Sequence, residues 1–446
     1  MSLRGALAAT LLGLAATAAQ AWSQHAAMAY RAFEVMPEVA RAAPVTAEPL
    51  EAFLRAQPAA IAQAVEAQEA WARAHVKHYP ARPDALRWQW AAGQADADLR
   101  KGFLAAMRLS PQSRFALFVQ LDPWAAAATE PSLDWAQAAS VPPSKGAVHR
   151  LRALHPGEPV PALAVLASAC DEPDYGLDLQ LFDDNPGSPS GYGFGKQPFG
   201  NPAVAIGSQA PFHMGFLHQG RVFDTLAPSL TRSLVELRVA QFSALARLAF
   251  GTGHAYWGWR FAGLAAHYVQ DLTQPYHASA APGESLPGML WANTAAALGM
   301  PAAKQALVIL QGNRHFALEQ LQARWILDNA ERRRESDAER ALHDTGLDAR
   351  YPAWTALSPR EVVAAEAYAA GPQTDAAVVI GLPARYVNDP GYDFAASGAQ
   401  MELGPELAQE LAAQRRALQT MVSRLLGRFG AHSRNLVRAL RAGSER

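Results

Sequence analysis

Apolar residues recur at helical spacing along most of this chain, and β-branched runs of strand length are scarce. Alanine and leucine, two strong helix formers, dominate the apolar positions. The pattern therefore predicts an all-α protein that folds as a multi-helix bundle. The predicted helical segments are 22–40, two antiparallel helices over 234–278 with a break at Gly251-Thr252-Gly253, a long helix within 302–345, a helix and Gly/Pro loop over 355–400, and an amphipathic helix over 405–428.

Residues 42–165 form a proline-punctuated, alanine-rich segment, which we interpret as a helical insertion. The expected core therefore spans 22–430 around this insertion, and residues 431–446 are expected to form a C-terminal tail. A chain of this length has room for one large domain or two ordinary ones.

The N-terminal segment has the three parts of a signal peptide. Residues 1–21 contain a charged start, an apolar stretch of Leu, Ala and Gly, and the cleavage pattern Ala19-Gln20-Ala21. Cleavage there would leave Trp22 with a free α-amine, which can chelate a metal together with the Trp22 carbonyl. We therefore expect an exported protein, periplasmic or secreted, whose metal site is completed after export.

Composition agrees with an exported globular protein. Half of the residues are hydrophobic, and no apolar run after residue 21 is long enough to span a bilayer. The formal net charge of −1 argues against a stable nucleic-acid partner, because polyanion binding relies on cationic side chains. Cys170 is the only cysteine, so we expect a buried thiol and no disulfide within the chain. We also expect a monomer.

Candidate metal ligands are concentrated in residues 261–279. His267 and Asp271 are four residues apart, so on a helix both side chains lie on one face. A proline at 275 ends or kinks that helix and turns His277 back. Further along, His315 and Glu319 repeat the four-residue spacing. One such pair alone is more often a surface ion pair, but two imidazole–carboxylate pairs and a further histidine indicate a zinc site.

Residues 241–280, QFSALARLAFGTGHAYWGWRFAGLAAHYVQDLTQPYHASA, resemble the zinc-binding helices of bacterial zinc-dependent phospholipases C. The same superfamily includes fungal single-strand nucleases. The resemblance implies a helical bundle around a trinuclear zinc site, and we expect two to three Zn²⁺ ions. Matched position by position, the implied metal ligands are Trp22, His25, Asp174, His213, His267, Asp271, His277, His315 and Glu319.

Several positions depart from the family pattern. His25 follows Trp22 by three residues. This spacing is shorter than that of the bacillary enzymes, but a short spacing occurs in the nuclease branch. Alternatives stay open in the middle of the chain, where Asp171 and Asp178 compete with Asp174, and His218 competes with His213. The remaining histidines have no partner at ligand spacing and are assigned no metal role: His75, His78, His149, His155, His254, His343 and His432.

The implied activity is hydrolysis of phosphoesters, because zinc lowers the pKa of bound water to about 7. The resemblance implies that Asp271 bridges two metals, that Asp174 orients or deprotonates the attacking water, and that Tyr175 lines the substrate pocket. We expect a phospholipase C that releases diacylglycerol and phosphocholine from phosphatidylcholine and contacts membrane surfaces transiently. The alternatives are a single-strand nuclease or nucleotidase of the same superfamily, and an inactive zinc-stabilised scaffold that binds a partner through residues 42–165.

Overall fold

The computed structural model describes residues 22–125, 132–143, 149–204, 206–220, 223, 225, 227–402 and 412–442. The predicted signal peptide lies outside these ranges. Helices dominate the described residues, which confirms the prediction of an all-α fold. Among them, no helix is both long and apolar enough to cross a membrane.

The α-helices of the described ranges are numbered in chain order. They are α1 His25–Glu34, α2 Pro37–Ala40, α3 Leu50–Ala56, α4 Pro58–His75, α5 Asp96–Met107, α6 Trp135–Ala138, α7 Ala162–Ala169, α8 Ala210–His213, α9 Val235–Gly251, α10 Ala255–Leu272, α11 Pro275–Ala278, α12 Leu286–Ala297, α13 Ala302–Glu331, α14 Asp337–His343, α15 Ala365–Gly381, α16 Ala384–Val387, α17 Phe394–Ser397 and α18 Ala412–Ala442. Short 3₁₀ turns are Asp84–Leu86, Glu172–Tyr175, Ile206–Gln209, Pro228–Thr231 and Thr345–Arg350, and a π-helical turn is Pro359–Ala364.

The segment 42–165 contains strands as well as the expected helices. It contributes α3, α4, α5 and α6, and also four strands, β1 Val45–Thr46, β2 Phe118–Gln120, β3 Leu151–Ala153 and β4 Pro159–Val160. Strand β1 pairs antiparallel with β4, and β2 pairs antiparallel with β3. The segment is thus mainly helical, with two short strand pairs that the sequence did not predict. The β1–β4 pairing, with Val45 opposite Val160, brings the two ends of the segment together.

The first predicted helix, over 22–40, is divided into α1 and α2. Gln24 has a left-handed backbone (φ 66°), so the regular helix begins only at His25. Pro37 ends the continuous helix because proline offers no amide hydrogen for the i→i−4 bond, and it begins α2 instead. The long helix predicted within 302–345 is likewise divided, with α13 ending at Glu331 and α14 beginning at Asp337.

The predicted antiparallel pair is present as α9 and α10, and α10 lies at the centre of the fold. Every residue of α10 from Tyr256 to Leu272 is buried, as expected for a helix surrounded by other helices. Gly263 allows α7 to approach closely, since a methyl group there would lie 2.4 Å from the Leu166 carbonyl oxygen. Apolar side chains of the insertion, such as Phe53 and Phe103, belong to the same hydrophobic core as α10.

The C-terminal helix extends beyond the amphipathic segment that the sequence predicts. Helix α18 continues to Ala442, so the expected boundary at residue 430 falls inside it. Leu436, Val437 and Leu440 are fully buried in the core that contains α10. Residues 431–442 are therefore part of the packed structure and not a separate tail, because their apolar side chains continue the buried stripe of α18.

Candidate metal centre

Six parts of the chain bring the predicted ligands to one buried region. Helix α10 carries His267 and Asp271 one turn apart, and α13 carries His315 and Glu319 in the same way. Three further side chains come from the first residue of α1, the 3₁₀ turn at 172–175 and the last residue of α8: His25, Asp174 and His213. His277 lies on α11, whose start is fixed by Pro275 and by the Gln274 side chain, which accepts a hydrogen bond from the Tyr276 amide.

Two groups of donor atoms result. The first cluster consists of His25, Asp174, His213, His267 and Asp271, and the second cluster consists of His277, His315 and Glu319. Within each three-residue set that can surround an ion, the donor atoms lie within 4.8 Å of one another. These are buried His/Asp/Glu clusters that could hold metal ions.

Three donor atoms of the first cluster have separations that fit one tetrahedrally coordinated metal ion. Oδ2 of Asp271 lies 2.8 Å from Nδ1 of His213 and 3.3 Å from Nε2 of His267, and the two nitrogens are 3.1 Å apart. Donor atoms bound to one tetrahedral zinc at 2.0–2.1 Å would be separated by roughly 3.3 Å. The three atoms can therefore bind one ion without rearrangement.

The other oxygen of Asp271 faces a different histidine. Oδ1 lies 3.1 Å from Nε2 of His25, and both side chains are fully buried. Neither atom makes a hydrogen bond within the described part of the chain. Buried donor atoms are rarely left in this state, because desolvation without a partner costs free energy. An ion between Oδ1 and Nε2 would satisfy both, so Asp271 can bridge two metal positions.

Hydrogen bonds on the far side of three imidazoles orient their ligand nitrogens. Nδ1 of His267 lies 2.6 Å from the Cys170 carbonyl oxygen, and Nδ1 of His277 lies 3.0 Å from the His213 carbonyl oxygen. His25 Nδ1 is 2.8 Å from the Gln270 side-chain oxygen. Donation to these acceptors leaves Nε2 of each ring with its lone pair directed at the clusters, as is usual for metal-binding histidines. Cys170 is fully buried, as expected for a structural thiol.

The second cluster is equally compact. Nε2 of His277 and Nε2 of His315 are 3.1 Å apart, and Oε1 of Glu319 lies 2.6 Å from the His315 nitrogen and 4.0 Å from the His277 nitrogen. Glu319 Oε1 is buried and makes no hydrogen bond to any described residue. Two imidazoles and one carboxylate leave a fourth position open, which is the ligand pattern of catalytic zinc sites.

The electrostatics of the two clusters also fit a bound cation. Burial alone would lower the pKa of His25, but the Asp271 carboxylate raises it to about 9. Burial likewise opposes protonation of His213, whereas Asp178 and Asp271 raise its pKa to about 10. In the second cluster, burial lowers the pKa of His277 to about 4 and holds that of Glu319 well above its usual range. Protons thus neutralise buried carboxylates that a divalent ion would neutralise instead.

The structure distinguishes between the alternative aspartate and histidine ligands that the sequence leaves open. Asp174 Oδ1 lies 3.7 Å from His267 Nε2, and its side chain is 16% exposed, more than that of any other cluster residue. Asp178 is instead bound by Arg238 at 2.7 Å and lies behind His213, 3.4 Å from its Nε2. Asp171 accepts a hydrogen bond from the Ala26 amide, and His218 contacts the Arg360 carbonyl oxygen. The structure therefore places Asp174 and His213, and not their competitors, at the cluster.

Trp22 lies at the same end of α10 as Asp271. Its side chain is fully buried, and the indole Nε1 donates to Oγ1 of Thr273, two residues beyond Asp271. The predicted cleavage would free the Trp22 amine by breaking its bond to residue 21, and residue 21 lies outside the described ranges.

Tyr175 contributes to a buried aromatic wall. It is only 5% exposed, and its hydroxyl donates to the Gln120 side-chain oxygen at 2.7 Å. Its ring packs edge-to-face against Trp135 at 4.7 Å. The side chain is therefore largely covered, and the residues that cover it, Trp135 and His149, come from the insertion.

His149, to which the sequence assigns no role, lies beside the first cluster. Nδ1 of His149 is 3.9 Å from Oδ2 of Asp171, and neither atom hydrogen-bonds to a described residue. Its ring packs against Trp135 at 4.6 Å. Burial lowers the pKa of His149, and the carboxylates of Asp171 and Asp174 act against that shift. No spacing in the sequence points to this residue, because the fold of the insertion alone brings it to Asp171.

No protein-family model, curated protein or solved structure matches this chain. The class that the fold and the site define is a helical protein with buried clusters suited to metal ions. Function is therefore inferred from the donor set, its geometry and the resemblance of residues 241–280.

Proposed function

We propose that this chain is a zinc-dependent phosphodiesterase, with a phospholipase C reaction on phosphatidylcholine as its favoured activity. The observation that carries the proposal is the position of the fully buried Asp271. Its Oδ1 faces the imidazole of His25, and its Oδ2 faces the imidazoles of His213 and His267. A bridging carboxylate beside a second His/His/Glu cluster is an arrangement suited to several closely spaced metal ions, which are a recurrent solution for phosphoester hydrolysis.

Zinc is the metal that this donor set favours. In each set of three residues that could surround an ion, two donors are imidazole nitrogens and one is a carboxylate oxygen. Mg²⁺ and Ca²⁺ prefer sites made of oxygen atoms, whereas imidazole suits zinc. We assign one ion to Asp174, His213, His267 and Asp271, a second to His277, His315 and Glu319, and a third to the pair His25 and Asp271 together with the Trp22 amine.

Bound zinc would supply a water molecule that ionises near neutral pH and would offset negative charge on phosphoryl oxygens. The chain's own contribution centres on Asp174, the most exposed carboxylate of the clusters. Burial raises the pKa of Asp174, and the imidazoles of His267 and His213 oppose this shift. A carboxylate with a raised pKa at the open side of the site is suited to orient a water molecule and accept its proton.

A nuclease or nucleotidase activity is the second candidate. The observation that favours it is the three-residue spacing from Trp22 to His25, which is the short spacing of the nuclease branch. The net charge of −1 favours a small or lipid phosphodiester over a polyanion, because a polymer would require a strongly cationic groove.

The test compares phosphatidylcholine in mixed micelles, p-nitrophenyl phosphocholine and single-stranded DNA as substrates, each with and without a chelator. We expect release of diacylglycerol and phosphocholine that stops on chelation and returns with added Zn²⁺. His267→Ala should abolish turnover, whereas His218→Ala, a matched histidine outside the clusters, should leave zinc content and turnover unchanged. Cleavage of DNA alone would favour the nuclease reading. Metal binding without hydrolysis of any substrate would contradict an enzymatic function.

A further inference from the structure

Two buried carboxylates lie one layer outside the metal clusters, and each is paired with an arginine and a tyrosine. Asp178, behind the first cluster, accepts hydrogen bonds from Arg238 and from the Tyr268 hydroxyl, both at 2.7 Å. Asp375 on α15 has the same kinds of partner but lies beside the second cluster. Because Asp178 also touches His213 directly, its role follows from the cluster itself. Asp375 contacts no ligand in the described residues and requires a separate explanation.

Asp375 joins the two chain segments that carry the histidines of the second cluster. Its Oδ1 accepts a hydrogen bond from the Tyr276 hydroxyl at 2.8 Å, and its Oδ2 lies 3.1 Å from Nη1 of Arg314. Tyr276 directly precedes His277, and Arg314 directly precedes His315. One carboxylate therefore fixes α11 and α13 relative to each other at the positions next to both imidazole ligands.

Tyr276 also contacts the imidazole of His315 directly. The Tyr276 ring lies almost parallel to the His315 ring, with centroids 5.6 Å apart and an interplanar angle of 15°. Burial and the Asp375 carboxylate hold the pKa of Tyr276 well above its usual range, so its hydroxyl remains a hydrogen-bond donor. The hydrogen bond to Asp375 thus fixes the orientation of the ring that covers one face of His315.

The local backbone is also adapted to this carboxylate. Gly283, in the turn after α11, lies so close to Asp375 that a methyl group at residue 283 would be 1.8 Å from Oδ2. Asp375 is only 5% exposed, and the side chain of Arg314 is 10% exposed. Desolvating an aspartate and an arginine together is expensive, so a buried pair of this kind contributes little net stability compared with apolar packing. A structural contribution to stability therefore does not explain its position.

We propose that Asp375 is a positioning residue for the second cluster, which sets the affinity of His277, His315 and Glu319 for their metal ion. Helix α11 has only four residues, so its own hydrogen bonds cannot hold His277 at the 3.1 Å separation from His315. Outer residues that orient metal ligands typically change affinity on the order of 10–100-fold when substituted. This inference rests on the proposed function in one respect, namely that the clusters bind metal.

The test is Asp375→Asn, which keeps the size of the side chain and its acceptor for Tyr276 but directs an amide NH₂ at the Arg314 guanidinium. Asp348→Asn is the matched control, because the Asp348 side chain is also only 8% exposed, is bound by Arg434 at 2.7 Å, and has no described contact with a cluster residue. Tyr276→Phe is a milder variant that keeps the ring on His315 and removes only the hydroxyl.

The readout is zinc per chain after dialysis against a graded series of chelator concentrations, measured by elemental analysis. We expect Asp375→Asn to lose the ion of the second cluster at chelator concentrations about 10–100-fold lower than wild type, with Tyr276→Phe in between. Asp375→Asn should add no further zinc loss to His315→Ala, because both changes affect the same ion. Asp348→Asn should lower stability without changing the zinc curve.

Two results would overturn the inference alone: an Asp375→Asn curve identical to that of wild type, or an equal zinc loss in Asp348→Asn. A wild-type protein that binds no divalent metal would overturn the proposed function as well, so the two failures are distinguishable. None of these measurements depends on identifying the substrate.

Discussion

Asp271 and His25 are 246 positions apart in the chain, yet Oδ1 of Asp271 lies 3.1 Å from Nε2 of His25, and both side chains are fully buried. The two atoms are within hydrogen-bond distance but are not aligned as a hydrogen bond. Such an arrangement is expected when two lone pairs are directed at a common ion. It makes the first residue of α1 part of a site that is otherwise built around α10.

Replacing Asp271 by asparagine should therefore remove more metal than replacing a ligand that serves one position. Asparagine offers one neutral oxygen and an amide nitrogen that cannot ligate, so it cannot serve two positions, and metal binding should weaken both at His213 and His267 and at His25. Zinc per chain, measured by elemental analysis, should fall further than in His25→Ala. Equal zinc loss in the two variants would contradict the bridging role. Asp348→Asn serves again as the control for loss of a largely covered carboxylate.

Asp174→Asn should keep zinc and lose most turnover. Asparagine preserves the size of the side chain and one oxygen, but it cannot accept a proton from the attacking water. The expected loss in kcat is on the order of 10²–10⁴, the usual contribution of a general base. Zinc content and kcat are measured on the same preparation. If zinc is lost together with turnover, Asp174 acts chiefly as a ligand, and if neither changes, a different group activates the water.

The sequence predicts the part of the site that depends on local spacing. His267 and Asp271 lie one helical turn apart, and Pro275 redirects the chain before His277, so this motif requires only the helix geometry. The same reasoning found His315 and Glu319. The extension of α18 to Ala442 also had a signal, because Leu436 and Leu440 continue the apolar spacing of Leu425 and Phe429.

Other parts of the site depend on distant contacts and could not be read from spacing. Asp174 and Asp178 lie in one turn-rich segment, and the choice between them is made by Arg238, which arrives from α9 and neutralises Asp178. His149 approaches Asp171 only because β2 and β3 pair inside the insertion. Short strands of two or three residues leave little periodic signal, so neither the strands nor this histidine were predicted.

His149→Gln should slow the reaction without changing zinc content. The loss of rate should be larger for a substrate with a poor leaving group than for one with a good leaving group. Nδ1 of His149 lies 3.9 Å from Asp171, so we expect Nε2 of the protonated imidazole to donate the proton to the departing oxygen. The alkoxide of diacylglycerol needs that proton, whereas p-nitrophenolate does not. We expect a loss on the order of 10²-fold for phosphatidylcholine and little change for p-nitrophenyl phosphocholine. His155→Gln, an exposed histidine of the same insertion, is the control, and equal losses on both substrates would exclude proton donation.

Acid should also weaken the interactions of Glu366, a carboxylate outside the two clusters. Burial opposes ionisation of Glu366, but hydrogen bonds from His432 and Tyr351 and the charge of Arg428 lower its pKa below 4.5. Because the folded-state pKa lies below the unfolded value, this carboxylate stabilises the protein above pH 4.5, and the contribution is lost as pH falls through the folded-state pKa.

The corresponding measurement compares urea unfolding of wild type and Glu366→Gln in one chelator-containing buffer, so that metal loss affects both proteins equally. The difference in free energy of unfolding should be largest near neutral pH and should shrink below pH 4.5. A difference that is independent of pH would mean that the ionised carboxylate contributes nothing beyond its packing.

The N-terminus of the mature protein should be Trp22, and its amine should be needed for full metal content. A free α-amine has a pKa near 8 and can release its proton to bind a metal, whereas the same nitrogen in a peptide bond has no available lone pair. Protein secreted with its own N-terminal segment should therefore begin at Trp22 by mass spectrometry. A version made with two extra residues before Trp22 should bind less zinc at His25 and Asp271 while keeping the ion of the second cluster. Full zinc content and full turnover in the extended protein would remove the amine from the site.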